Sequence, residues 1–306
     1  AIIGRYCVGG VIGANILDDT QSAALGGMAT ANTLGTVRAD GICGGVIGYV
    51  RCITSASAKA VPGDAAAKLL PSVGTDKILT DSSAVTDSTS SLDYDNAQVK
   101  NTFTVRANAY AGGILGASAK DTRLMLRYAV NSGEVSTSTA NGTTLSGGAG
   151  FDALLGAYGA QTLGAGAGNC AAVGGIVGVS GPHTAVRECA NMGVISGAGN
   201  GLGGISGVNF GAIVLCANKV AFGTSQQNYV GGVVGVNACA AANTAVGVSG
   251  SYYQGVADSS YSTATVAGGS YVGGVAGINL TNAVLSWSFS YTGNTAYDPA
   301  AGVAAS

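Results

Sequence analysis

A five-residue phrase, Gly-Gly-[Val/Ile]-x-Gly, occurs seven times in this chain and constrains its fold more than any other feature. The copies lie at Gly9–Gly13, Gly44–Gly48, Gly112–Gly116, Gly174–Gly178, Gly203–Gly207, Gly231–Gly235 and Gly273–Gly277. Recurrence at tens of residues is the mark of stacked supersecondary units, each burying its apolar face against the next. The third position is always β-branched, which suits an inward strand site. The flanking glycines allow positive φ and close approach of neighbouring backbone. Asn15, Asn209, Asn237 and Asn279 each follow two positions after the last glycine. Asparagine tolerates the left-handed region and suits a sharp corner, and stacked corners would align the amides in a ladder.

The copies are spaced by 35, 68, 62, 29, 28 and 42 residues. The two long intervals are about twice the short ones, so each is expected to hide a degenerate coil. Gly147–Gly150 is one candidate, and the expected total is roughly 9–11 coils. Composition agrees with strands rather than helices. Glycine supplies 52 of 306 residues, charged residues only 9%, and glutamate occurs only at Glu134 and Glu188. Only four prolines and no strict Gly-X-Y period exclude collagen. No apolar run is long enough for a membrane-spanning helix. The net charge of −2 and the lack of a basic tract exclude an obvious nucleic-acid surface.

A second strand follows each pentad. Cys189-Ala190-Asn191-Met192-Gly193 and Ala129-Val130-Asn131-Ser132-Gly133 share a small residue four before glycine, and Cys216-Ala217-Asn218 repeats the opening. Alignment of these phrases puts Cys189 and Cys216 on adjacent coils about 4.8 Å apart, as stacked inward thiols or a disulfide. The seven cysteines form no CxxC pair, and His183 alone cannot complete a zinc set.

These phrases resemble the GLUG-motif repeats of bacterial surface proteins, with Val or Ile in place of the motif's Leu. The resemblance covers about 170–293 well, and 1–48 and 108–136 more loosely. It implies a secreted, extracellular bacterial β-solenoid of adhesin type, and it does not by itself imply catalysis, since His-Glu-x-x-His does not occur. The expected fold is therefore all-β, a parallel β-helix of right-handed sense by the crossover rule. The expected organisation is N-terminal coils at 1–52, an insertion or lateral loop subdomain at 53–107, and the main array at 108–306. Residues 53–107 hold 11 of the 28 charged residues, and 64–70 read as a short helix stopped by Pro71. The first pentad begins at Gly9, which points to a removed leader or a piece of a longer array.

Candidate chemistry is sparse. Asp87, Asp93 and Asp95 are oxygen donors of the kind calcium takes, but their spacing fits no known calcium loop, and a solvated loop is the plainer reading. No cofactor is expected. Aromatic residues crowd the C-terminal part, with Tyr253, Tyr261 and Tyr271 as candidate binding residues for a glycan or a partner protein. Trp287, Phe289 and Tyr291 alternate along one strand face, which would be a stacking platform for sugar rings or a protein partner if outward and would fill and cap the end of the solenoid if inward. Matching Phe289 to Cys189, each four before a glycine, predicts that this face points inward. Three functions follow. The first is a non-catalytic structural or adhesion module on a bacterial surface, with a host or cell-surface protein as partner. The second is a filament subunit that stacks on itself through its coil ends. The third is a β-helix that binds or cleaves polysaccharide, for which clustered carboxylates are too few.

Overall fold

The computed structural model describes residues 1–18, 28–29, 35–53, 99–119, 124–137, 154–156, 163, 170–182, 184–197, 199–223, 227–239 and 255–290. Among these the chain is nearly all β, arranged in long parallel sheets. There are five sheets, numbered I to V here in the order the chain visits them. Sheet I runs Ile2–Gly4, Thr36–Ala39, Thr104–Ala107, Val135–Thr137 and Ile195–Gly197. Sheet II runs Cys7–Gly9, Ile42–Gly44, Tyr110–Gly112, Cys170–Gly174, Asn200–Gly203, Asn228–Gly231 and Ser270–Gly273. Sheet III begins with Ile12–Asp18 and ends with Ala276–Asn279, sheet IV runs from Leu124–Arg127 to Val284–Ser286, and sheet V from Met28–Ala29 to Phe289–Ser290. The chain passes from sheet to sheet in the same order at each turn, and each strand pairs with its counterpart one turn earlier and one turn later.

Each pentad is the corner between sheets II and III, and there is one per turn. Its first glycines form a single register column, Gly9–Gly44–Gly112–Gly174–Gly203–Gly231–Gly273. None of the pentad glycines has positive φ. What they supply is room. A Cβ on Gly112 would lie 1.9 Å from the Leu115 carbonyl oxygen, inside the same corner. One on Gly113 would lie 2.1 Å from the Gly175 carbonyl oxygen of the next turn. The third residue points inward as expected: Val46, Ile114, Ile176, Ile205 and Val233 are all fully buried.

The corner repeats one hydrogen-bond set between every pair of turns. Val46 N–H and Ile47 N–H both donate to the Ile114 carbonyl, Ile114 and Leu115 to that of Ile176, and so on to Val233 and Val234 donating to Val275. These bonds correct the expected coil count. Gly44 pairs directly with Gly112, and Gly112 directly with Gly174, so neither long interval contains a further turn of sheet II. Among the described residues sheet II has seven strands, one for each pentad, against the 9–11 coils expected. The extra residues leave and rejoin the turn elsewhere, because a corner-to-corner ladder tolerates insertion between strands but not within them. The candidate coil at 147–150 lies outside the described residues. The expected insertion at 53–107 also ends earlier, since Val99–Asn101 already belongs to sheet V and Thr104–Ala107 to sheet I. The helix expected at 64–70 lies outside the described residues.

Two asparagine ladders run through the stack. In sheet V, Asn101 Nδ2 donates to Asn131 Oδ1 at 2.8 Å, Asn131 to Asn191 at 2.9 Å, and Asn191 to Asn218 at 3.0 Å, with Ser262 Oγ next at 3.2 Å. Each of these asparagines also closes its own corner, accepting from the amide and donating to the carbonyl two residues on, as Asn131 does with Gly133. All four are fully buried and satisfied, the condition under which a buried amide is tolerated. In sheet III, Asn209 donates to Asn237 at 2.9 Å and Asn237 to Asn279 at 2.8 Å. This second ladder was expected for Asn209, Asn237 and Asn279, but Asn15, expected to join it, lies opposite Val50 instead. Its members do not take the left-handed conformation, however.

Left-handed residues occur instead at the corner between sheets IV and V. Tyr128, Glu188, Leu215, Ser259 and Trp287 have φ of 53°, 52°, 55°, 48° and 46°. They form one column, because the strand residues before them align as Arg127–Arg187–Val214–Asp258–Ser286. No glycine or asparagine marks this corner, so pattern reading passes over it. The conformation costs each residue on the order of 1 kcal/mol and persists because strands on both sides fix it.

Candidate functional site

The column that follows this corner settles the aromatic question. Ala190, Ala217, Tyr261 and Phe289 share one register. The residue before each is therefore Cys189, Cys216, Ser260 and Ser288. Phe289 matches Ala190 rather than Cys189, and the expected inward aromatic face is corrected: Phe289 is 50% exposed and Trp287 87% exposed. The inward position needs a small group that can hydrogen-bond backward. Cys189 Sγ approaches the Arg187 carbonyl at 3.2 Å, Cys216 Sγ that of Val214 at 3.3 Å, and Ser260 and Ser288 Oγ donate to those of Asp258 and Ser286 at 2.9 and 3.0 Å. A phenyl ring could not replace these donors. Cys189 and Cys216 are free thiols stacked on adjacent turns. Burial first, then the neighbouring Cys216, pushes the Cys189 thiol well above its usual range.

Outward, the late turns of sheets IV and V carry an aromatic and cationic patch. The Tyr261 and Phe289 rings stack with centroids 5.2 Å apart and planes 4° apart. The Lys219 ammonium sits 4.5 Å from the Tyr261 centroid, and its Nζ donates to the Tyr261 hydroxyl at 2.9 Å. Trp287, two residues before Phe289, stands out from the left-handed corner. Asp258 accepts a hydrogen bond from Ser286 Oγ at 2.5 Å on the adjoining strand. Flat rings beside an ammonium and a carboxylate make a stacking surface.

Two turns earlier on the same edge lies a charged cluster. Glu188 accepts two bonds from the Arg127 guanidinium, at 2.9 and 3.2 Å, and the Arg127 guanidinium lies 4.5 Å from the Tyr128 ring. Arg187 Nε is 3.3 Å from Glu188 Oε1 but makes no hydrogen bond there, so it acts as a neighbouring charge. Burial alone would raise the Glu188 pKa, but the bonds from Arg127 and Tyr128 outweigh it and hold the carboxyl below its usual range. The contact is partly exposed and holds adjacent turns weakly.

Of the three candidate binding tyrosines, the structure places two. Tyr261 belongs to the patch on sheet V. Tyr271 lies on sheet II, 57% exposed, stacked 5.1 Å from buried Tyr229. The two are thus on different sheets, and Tyr253 lies outside the described residues. Asp87, Asp93 and Asp95, and with them the calcium reading, also lie outside the described residues, as do His183 and Tyr291. Among the described residues there is no cluster of three metal-ligating side chains and no helix long and apolar enough to cross a membrane. Sequence reasoning missed Lys219 as a member of the patch and favoured an inward place for Trp287 and Phe289. The signal was present in the alignment of Ala190, Ala217, Tyr261 and Phe289 after the left-handed corner. No family model, curated protein or solved structure matches the chain.

Proposed function

We propose that this chain is a right-handed parallel β-helix that serves as an extracellular structural or adhesion module of a bacterial surface or secreted protein. The observation that carries the reading is where the repeat spends its residues. The repeated positions join one turn to the next: the glycine corner and the aliphatic third residue in every turn, and asparagine ladders over part of the stack. Function then falls to side chains outside those positions, and these are the outward rings and charges of sheets IV and V. A weakly charged, glycine-cornered scaffold of this kind suits presentation of a surface better than chemistry. The right-handed sense follows from the rule for parallel crossovers, and the bacterial surface location from the resemblance to GLUG-motif repeats.

Binding of the purified chain to arrayed glycans and surface proteins tests the proposal. Saturable binding that weakens at least about tenfold in Trp287→Ala and Phe289→Ala, roughly 1.4 kcal/mol, is the expected result. Release of new reducing ends from any polysaccharide would overturn it in favour of an enzyme.

A further inference from the structure

We propose that Arg38 and Arg106, on the outward face of sheet I, form an anion site for the sulfate or phosphate ester groups of an acidic glycan. The proposal deepens the reading of the chain as an extracellular adhesion module and rests on it. Its starting point is a tetrapeptide outside the pentad. Thr36-Val37-Arg38-Ala39 and Thr104-Val105-Arg106-Ala107 are neighbouring strands of sheet I, with Thr36 opposite Thr104, Val37 opposite Val105 and Arg38 opposite Arg106. Val37, Ala39, Val105 and Ala107 are buried. Strand alternation therefore turns both arginines outward, and both are exposed. Partners on neighbouring strands lie about 4.8 Å apart, so two guanidinium groups leave the surface side by side. Ile3 and Ser136 flank the pair on the turns before and after it.

Like charges directly opposite in a sheet oppose folding. Among the described residues nothing offsets this pair, since neither guanidinium makes a hydrogen bond or an ion pair. Asp40 and Glu134 stand two positions off the arginine column, and neither is ion-paired to it. Sheet IV meets the same situation differently. Arg127 and Arg187 are also direct partners on adjacent turns, but Glu188 stands beside them and accepts bonds from Arg127 at 2.9 and 3.2 Å. Sheet I has no such carboxylate, which leaves its place to an anion from outside. The comparison also says which anion fits. Glu188 gives both oxygens to one guanidinium, and Arg187 Nε is left without a hydrogen bond. One carboxylate thus saturates one fork. Two forks side by side call for more acceptor oxygens, and a sulfate or phosphate ester carries three. Thr36 and Thr104, two residues before each arginine, put hydroxyls on the same face. A nucleic acid carries the same group but is held by a longer row of cations, and this column has two, between Ile3 and Ser136.

Titration calorimetry of the full chain with dextran sulfate, dextran phosphate and unmodified dextran, at about 0.15 M salt, tests the proposal. The variants are Arg38→Gln, Arg106→Gln and Arg38→Lys, with Lys100→Gln on sheet V as a control of equal charge change. Wild type is expected to bind at least one anionic polymer saturably and to ignore plain dextran, and the tighter of the two names the ester. Each glutamine variant is expected to weaken binding at least about tenfold, and Lys100→Gln less than about twofold. Arg38→Lys keeps the charge but loses the fork, and is expected to weaken it at least about threefold. Denaturant unfolding of Arg38→Gln is expected to match or exceed wild type, because the repulsion is relieved. A marked loss of stability would make the arginines structural and overturn the proposal. So would the absence of saturable binding to either anionic polymer, or an equal loss in Lys100→Gln, which would mean that net charge alone is read. Preference for vesicles of phosphatidylglycerol over both polymers would also overturn it, since the carrier would then be a membrane. If the polymers fail while binding to arrayed ligands through Trp287 and Phe289 persists, only the arginine site falls. If array binding is absent while dextran sulfate is held through Arg38 and Arg106, the aromatic patch falls and the anion site stands.

Discussion

The middle turns and the end turns are built from the same phrase, yet they treat it differently. Ile176 and Val11 hold the same pentad position. Ile176 is fully buried between Ile114 and Ile205, whereas Val11, stacked on Val46 alone among the described residues, is 49% exposed. The same holds for rings: Tyr229 is 5% exposed and its column-mate Tyr271, one turn on, 57%. Burial here is therefore a property of stacking, not of residue type. A turn in the middle is stabilised from two sides, as expected where each repeat contacts only its neighbours.

Substitutions made in pairs, one in the middle and one at an end, can break this comparison. The largest difference is expected at the second pentad glycine. Gly113→Ala puts a Cβ 2.1 Å from the Gly175 carbonyl and 2.3 Å from Asn131 Cγ, while Gly274→Ala meets only Ser290, at 2.5 Å from its Cβ. Denaturant unfolding should show a loss of about 4 kcal/mol or failure to fold for the first and about 1 kcal/mol for the second. Equal losses would mean that the contact between turns is not what the glycine serves.

Ile176→Ala comes next, at about 3–4 kcal/mol, because it leaves a cavity in a fully buried column. Val11→Ala should cost less than about 1 kcal/mol by the same measurement. The ladders give a smaller contrast. Asn191→Ala strands the Gly193 amide and carbonyl and interrupts the ladder, for about 2–3 kcal/mol. Asn279→Ala, at an exposed turn, should lie within about 1 kcal/mol. If Asn191 costs no more than Asn279, the sheet V ladder is ornamental.

The smallest expected effects are electrostatic. Burial pushes the Cys43 thiol up to about 12 and Cys7 to about 11. A thiol whose folded pKa is raised stabilises the fold below the unfolded value near 9 and loses that contribution as pH climbs toward the folded value. Unfolding midpoints should therefore fall between about pH 9 and 12, less so in Cys43→Ser. Glu188 works in the opposite sense. Its lowered pKa gives a contribution that is present above the ordinary carboxylate range and disappears as pH falls through the folded value. Glu188→Gln should shift stability by less than about 1 kcal/mol at neutral pH, since the pair is partly exposed.

Much of the repeat was legible in the sequence, because its devices are chemically singular. Only glycine leaves room at the corner, only a β-branched aliphatic fills the third site, and Asn209, Asn237 and Asn279 announced a ladder. What pattern reading missed lacks such a signature. The left-handed column is occupied by Tyr, Glu, Leu, Ser and Trp, held in place by strands on both sides rather than by residue preference. Counting coils by spacing failed for a related reason, since insertion length carries no information about register. The better guide was Thr36-Val37-Arg38-Ala39, repeated as Thr104-Val105-Arg106-Ala107 on the next turn of sheet I. Spacing back from the glycine four residues after Phe289 misplaces the aromatic patch by one residue, because the left-handed corner before Ser288 sets the register.

Each pentad corner stacks directly on the next, however long the chain between them. Methyl nuclear Overhauser contacts on the isoleucine- and valine-labelled chain test it most directly. The prediction is a close contact between Ile114 and Ile176, 62 residues apart, and another between Val46 and Ile114, 68 apart. Contacts from Ile114 to residues within 138–169 in place of Ile176 would put an extra turn between the corners and contradict it.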